Sequence, residues 1–379
     1  MGKQFNVTGT CIPKMHYMVD ISKKLDKIIK LVENGEYFII NRPRQYGKTT
    51  SLYPLDKRLK DMEEYLSIKI SFEAIDTESY SNAYSFLSSL MQQIKNYFRF
   101  SDNKRIYAYI KDQSSRITSL NEFSNFITDL VEYANKKIVL IIDEVDKSSN
   151  NQLFLDFLGM FRNKYLLRNE GKDYTFQSVI LAGVHDVKNM KLKIRQDEEH
   201  KYNSPWNIAS DFEVDMSFSK EEIETMLEDY ISSTGVILDK EYFSDRLYFY
   251  TSGYPFLVSK LCKLIDEKLM KEGELFWKKE YIDIAVKLLL KESNTNFDTL
   301  IKNIENNKDL KDLIKKLIID GSEITFNKDN PIIALGLTYG FFKGEEGKLK
   351  LHNRIYEQLI YDYMSSFIET SMKVSFYNV

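Results

Sequence analysis

The chain has 379 residues, 43% of them hydrophobic and 29% charged, with a net charge of −3 and a pI near 6.0. That much apolar material excludes a disordered chain, and the length predicts two or three domains of ordinary size. The charge balance excludes a nucleic-acid binder that uses its whole surface, though not a local basic face.

Cys11 and Cys262 form no disulfide framework, as in a reduced, intracellular protein. The opening MGKQFNVTGT lacks the apolar core of a secretion signal. No apolar run approaches the length of a membrane span, so the cytoplasm is the expected location and no membrane contact is expected.

In chain order, Ile21, Leu25, Ile28, Ile29 and Val32 recur at helical spacing, and the spacing predicts a helix over 20–34 that Gly35 ends. Tyr37-Phe38-Ile39-Ile40 reads as a short buried strand, followed by a helix from Lys48 to about Leu59. A second strand is predicted at 68–72, with helices over 82–99 and 120–135. The five aliphatics Ile138–Ile142 have the pattern of a central parallel strand covered on both faces. A helix over 150–168 and a buried strand over 178–182 follow. Residues 212–218 alternate in polarity and predict an edge or last strand. This order argues for a parallel sheet flanked by helices.

Beyond Phe218 the pattern changes. Ser219 and Glu222 form a capping box that opens a helix, and only helices are evident to about 292. Further on, residues 338–343 and 348–352 flank Gly344-Glu345-Glu346-Gly347, which predicts a β-hairpin. A helix over 308–319 precedes it, and another over 353–367 follows. Helices with one hairpin fit a winged-helix module.

The chemistry-bearing motifs lie in the first part. Arg42-Pro43-Arg44-Gln45-Tyr46-Gly47-Lys48-Thr49 sits between a strand and a helix and matches the phosphate-loop pattern G-x-x-x-x-G-K-[ST], with Arg42 at the first glycine. Successive backbone N–H groups and a helix N-terminus make a pocket for phosphate. Lys48 would bring a positive charge to the β- and γ-phosphates, and the Thr49 hydroxyl would serve Mg²⁺. Asp143-Glu144 ends the aliphatic strand where ligands bind in open α/β sheets. Asp143 would hold the metal, and Glu144 would polarise the attacking water. Asp146 either supports the site or faces solvent.

Other groups leave alternatives open. His185 or Asp186 could sense the γ-phosphate or simply occupy a turn. Glu73, at the end of the second strand, could approach that phosphate. Arg162, Arg168 and Arg195 are candidates for a charge on the transferring phosphoryl group or for surface ion pairs. Tyr17 could stack on the adenine or pack in the core.

With these residues placed, the chain resembles the bacterial AAA-like ATPases, near the STAND and archaeal-type branch of the P-loop ATPases. Phe5 to Gly9, Tyr17 to Asp20, Asn41 to Thr50, Ile141 to Asp146, Asn203 to Ala209 and Thr251-Ser252-Gly253-Tyr254-Pro255-Phe256-Leu257 carry the resemblance. It implies that the Arg-Pro-Arg-Gln-Tyr-Gly-Lys form of the loop belongs to the lineage, that Arg42, Arg44 and Thr50 lie with the loop at the ATP/ADP phosphates, and that Pro255 reaches the nucleotide from a lid. Some relatives carry a C-terminal nuclease domain; no convincing D…(D/E)-x-K constellation follows residue 300, and nuclease activity is not expected.

The expected architecture is an α/β P-loop NTPase core over 1–218, a helical lid over 219–292 and a C-terminal winged-helix-like domain over 293–379. The expected function is a nucleotide-dependent switch that hydrolyses ATP with Mg²⁺, with a protein partner or a homo-oligomer. The competing readings are a non-catalytic ATP-binding scaffold and a DNA-binding regulator that uses Lys343, Lys348, Lys350 and Arg354.

Overall fold

The computed structural model describes residues 2–43, 45–148, 151–184 and 206–376. The chain divides into two compact units. A sheet unit comprises Ser22–Arg42 and Lys48–Val214, and a helical unit comprises Met1–Ile21, Pro43–Gly47 and Asp215–Val379.

In the sheet unit, α1 (Ser22–Glu33) buries Leu25, Ile28, Ile29 and Val32 of the predicted stripe, while Ile21 precedes the helix and is half-buried. Then come β1 (Phe38–Asn41), α2 (Lys48–Asp61), β2 (Tyr65–Ser71), α3 (Ala83–Arg99), α4 (Lys104–Gln113) and α5 (Leu120–Ala134). The unit continues with β3 (Lys137–Asp143), α6 (Gln152–Asn169) and β4 (Ser178–Gly183). The four strands are parallel in the order β1-β4-β3-β2. Every residue of β3 after Lys137 is buried, as expected of a strand covered on both faces. The register sets Ser71 beside Asp143 and Asn41 beside Gly183, so the carboxyl ends of the strands form one rim. A core of Phe72, Phe86, Phe123, Phe154, Phe157 and Trp206, among others, packs one side of the sheet.

The strand predicted over 212–218 does not form. Residues 211–218 contain no strand, and a single parallel bridge joins Ser210 to Phe38 of β1. The alternation is nonetheless real, since Val214 and Met216 are buried. What is missing is the ladder: the Arg42 side chain, not a strand amide, donates to the Val214 carbonyl at 2.7 Å.

The helical unit holds α7 (Lys220–Thr234), α8 (Lys240–Thr251), α9 (Pro255–Leu264), a π-helical turn over Ile265–Leu269, and α10 (Tyr281–Lys291). Both halves of the predicted Ser219–Glu222 capping box are present. There follow α11 (Thr295–Glu305), α12 (Lys308–Ile318), α13 (Pro331–Thr338), the hairpin β5 (Phe342–Glu345) and β6 (Lys348–Leu351), and α14 (Arg354–Phe376). The hairpin is shorter than predicted because α13 runs on to Thr338. No described helix is long and apolar enough to cross a membrane.

The first residues join this unit. Phe5 and Tyr17 lie 4.8 Å apart by ring centroids and both pack on Tyr230, while Lys3 pairs with Asp229 at 2.7 Å. At the other end of the motif stretch, Gly253 has φ +72 and carries its carbonyl to the Phe218 amide at 2.8 Å. A Cβ there would come within 2.0 Å of the Phe218 oxygen, so the backbones approach too closely for any side chain.

Candidate functional site

In the sheet unit, the first residue of α2, Lys48, is buried, and its Nζ donates to the Arg42 carbonyl at 3.1 Å. Asp143, at the end of β3, is 3% exposed, and its Oδ1 accepts the Glu144 amide at 3.0 Å. Glu144 has φ +55, a left-handed conformation that costs a residue with a Cβ about 1–2 kcal/mol. Such strain concentrates at functional positions, because only the surrounding structure can sustain it. Burial pushes the Glu144 carboxyl above the usual range; Lys48 opposes the shift, and Asp143, Asp146 and Glu73 reinforce it. One cation and three further carboxylates therefore act on Glu144 at the rim of the sheet.

Asp146 bridges two strand ends. Its Oδ2 accepts the Val184 amide at 2.5 Å and ties the turn after β3 to the tip of β4. Beside Asp143 and Glu144 opens a cleft of about 500 Å³, also lined by Lys69, Ser71, Glu73 and Gln93. Gln93 Oε1 accepts the Ser71 amide at 3.0 Å, while its Nε2 is buried with no hydrogen-bond partner. Sequence reasoning missed Lys69 and Gln93. The available signal was a lysine between Ile68 and Ile70 in an otherwise apolar strand.

In the helical unit, the other part of the loop is held from the C-terminal side. The Tyr46 hydroxyl lies 2.5 Å from Ser217 Oγ and 3.0 Å from His352 Nε2. Tyr254 meets the Tyr46 ring edge-on at 4.7 Å between centroids, and also meets His352 at 5.5 Å. A Cβ built on Gly47 would touch Pro255 at 3.7 Å, and one built on Gly340 would meet Pro43 at 2.9 Å. Gln45 and Gly47 both adopt positive φ, at 58° and 76°. His352 is the main residue that sequence reasoning missed here; it follows β6 directly and has no motif of its own. Burial draws the His352 imidazole down to about 4; Lys343 adds to the effect and Asp215 opposes it.

The remaining candidates fall elsewhere. Arg42 directs its guanidinium to the carbonyls of Asn41 and Val214, both at 2.7 Å. Tyr17 is 4% exposed and engaged by Phe5 and Tyr230, in the core packing that was its alternative role. Arg168 donates to the carbonyls of Gly35, Phe176 and Gln177, and the exposed Arg162 donates to Asn207. Thr50 lies in the first turn of α2. Arg44, His185, Asp186, Arg195, residues 203–205 and the Thr49 side chain lie outside the described residues.

With this geometry in place, comparison with known proteins is informative. The model of the family described as "AAA-like domain" matches residues 16–362. An uncharacterised WD repeat-containing protein of a Synechocystis species is 26% identical over 268 residues, 66% of this chain. The chain spans 21% of that relative's length. Among solved structures, the Walker-type ATPase of Pyrococcus abyssi superposes with a TM-score of 0.59 at 13% identity, covering 94% of this chain and 99% of that one. The ORC2 protein of Aeropyrum pernix, solved with ADPNP and ADP, superposes with a TM-score of 0.50 at 12% identity, covering 97% of each chain. At such identities these two likenesses speak to fold, and the fold is that of the P-loop ATPases.

Proposed function

Because the chain belongs to the AAA-like domain family, we propose that it is a nucleotide-dependent switch that binds ATP with Mg²⁺ and hydrolyses it. The observation that carries the switch reading is the grip on the phosphate loop: Pro43, Tyr46 and Gly47 adjoin Gly340, His352, Tyr254 and Pro255, all from the C-terminal part of the chain. A loop that must accommodate a triphosphate, yet is bonded to a distant module, links occupancy to the arrangement of that module. This is the role we assign to the lid over 219–292 and the winged-helix-like end over 293–379.

In this reading Lys48 keeps one donor on the Arg42 carbonyl and turns the others to the β- and γ-phosphates. Backbone amides of Gln45 to Thr50 cradle the phosphates as donors. A carboxylate at a strand end and a threonine hydroxyl are hard oxygen donors that suit Mg²⁺, so Asp143 and Thr49 fit that ion. The metal would neutralise charge on the phosphates. Glu144, strained and with its carboxyl raised, orients the attacking water. A partner protein or a second copy would supply an arginine in trans, which predicts turnover rising faster than linearly with protein concentration. We place the protein in the cytoplasm.

The decisive experiment is Glu144→Gln. It should bind ATP like the wild type and lose about 10²–10⁴-fold in turnover. Unchanged turnover sinks the role of Glu144, and ATP binding without turnover in either protein favours the non-catalytic scaffold. The hairpin gives little support to the DNA-binding reading, because Lys348 pairs with Glu323 at 2.7 Å and Lys343 with Glu345 at 3.7 Å.

A further inference from the structure

Arg42 stands where the phosphate-loop pattern has its first glycine. It is not among the described residues with positive φ, so nothing in the backbone demands glycine there. Four bonds at this residue lie within the sheet unit. Its amide donates to the Gly183 carbonyl at the end of β4, at 3.0 Å. Its Nη1 and Nη2 donate to the carbonyls of Asn41 and Val214, both at 2.7 Å. Its own carbonyl receives Lys48 Nζ at 3.1 Å. The guanidinium also lies 5.4 Å from the centre of the Phe212 ring, and Phe212 stacks on Phe38 of β1 at 5.7 Å with 5° between planes.

We infer that Arg42 is a positioning residue of the nucleotide site: its guanidinium takes the place of a fifth-strand ladder beside β1 and so fixes the carbonyl on which Lys48 rests. The inference builds on the reading that this loop holds a triphosphate. It departs from the expectation that the Arg42 side chain itself lies beside the phosphates. Two parallel donors on a planar fork suit two carbonyls, and a turn toward a phosphate would leave the carbonyl of buried Val214 without that donor.

The two roles differ in what they predict. A guanidinium that touches the γ-phosphate discriminates ATP from ADP, whereas one that sets the loop does not. The test uses the full chain and titrates fluorescent ADP and ATP analogues into the wild type, R42M, F212A, the double variant and K48A. Removing a charged donor predicts that R42M weakens both nucleotides by about tenfold. F212A should weaken both to a similar extent, and the double variant should be no weaker than R42M, because both substitutions undo one brace.

The inference is overturned if R42M loses ATP at least about tenfold more than ADP while F212A binds like the wild type. It is equally overturned if K48A abolishes binding and R42M leaves both affinities unchanged. If R42M does not fold, F212A decides: equal weakening supports the brace, and wild-type affinities overturn it. A wild-type protein that binds neither nucleotide refutes the ATP-binding reading itself, and this inference falls with it.

Discussion

Acid should loosen the C-terminal grip on the phosphate loop, and the size of the effect follows from His352. This imidazole is 9% exposed, faces Tyr46, Tyr254 and Asn353, and has its affinity for a proton drawn from an ordinary 6.5 down to about 4, chiefly by burial. The folded state thus takes up a proton less readily than the unfolded chain. Stability attributable to His352 is therefore complete above pH 6.5 and declines as pH falls through the window down to about 4. Integrating the linkage gives a loss of about 2 kcal/mol by pH 5 and about 3 kcal/mol by pH 4. The assay is urea unfolding of the wild type and of H352Q at a series of pH values from 7 to 5. Glutamine keeps a polar partner for the Tyr46 hydroxyl but does not titrate. His16, also lowered by burial, titrates in both proteins and cancels in the difference. The stability advantage of the wild type over H352Q should shrink by about 2 kcal/mol across that range. Parallel decline of the two proteins, or an NMR titration of the His352 ring near its ordinary value, would refute the reasoning.

Two further predictions concern the scaffold. Gly253→Ala combines a left-handed backbone with a Cβ that would lie 2.0 Å from the Phe218 carbonyl, whereas Gly235→Ala has the same hand of backbone and nothing within 4 Å; denaturant unfolding should show a loss of about 1 kcal/mol at Gly235 and well over about 2 kcal/mol at Gly253. Arg168→Met removes the donor shared by three carbonyls, those of Gly35, Phe176 and Gln177, and should cost about 2–4 kcal/mol by the same measurement, with nucleotide affinity unchanged if Arg168 has no part in phosphoryl transfer.

Much of this architecture can be read from the sequence because it is local. Ile138–Ile142 is too uniformly aliphatic for anything but a strand covered on both faces, and Ser219 and Glu222 announce α7 by a capping exchange that needs only four residues. Helix α4 escapes prediction because it buries just Ile106 and Ile110, too short a stripe to show a period. The false strand over 212–218 teaches the reverse lesson. Polarity alternates there because Val214 and Met216 are buried, but alternation says nothing about who supplies the hydrogen bonds. A motif likewise gives a position but no direction. The phosphate-loop pattern locates Arg42 without revealing that its fork turns toward Val214. The bond between Tyr46 and His352 spans 306 positions in the chain, and no spacing rule reaches that far.

The outer side of β1 has one more consequence. A strand at the end of a sheet offers its amides and carbonyls to any extended chain that drifts alongside, and proteins guard such places against self-association. Here a single bridge at Ser210, the Phe212 ring and the Arg42 guanidinium lie along that border. An intruding strand would have to displace a hydrogen-bonded cation and an aromatic ring before it could pair. The residue that interrupts the glycine pattern of the phosphate loop thus also stands at the border where such pairing would begin.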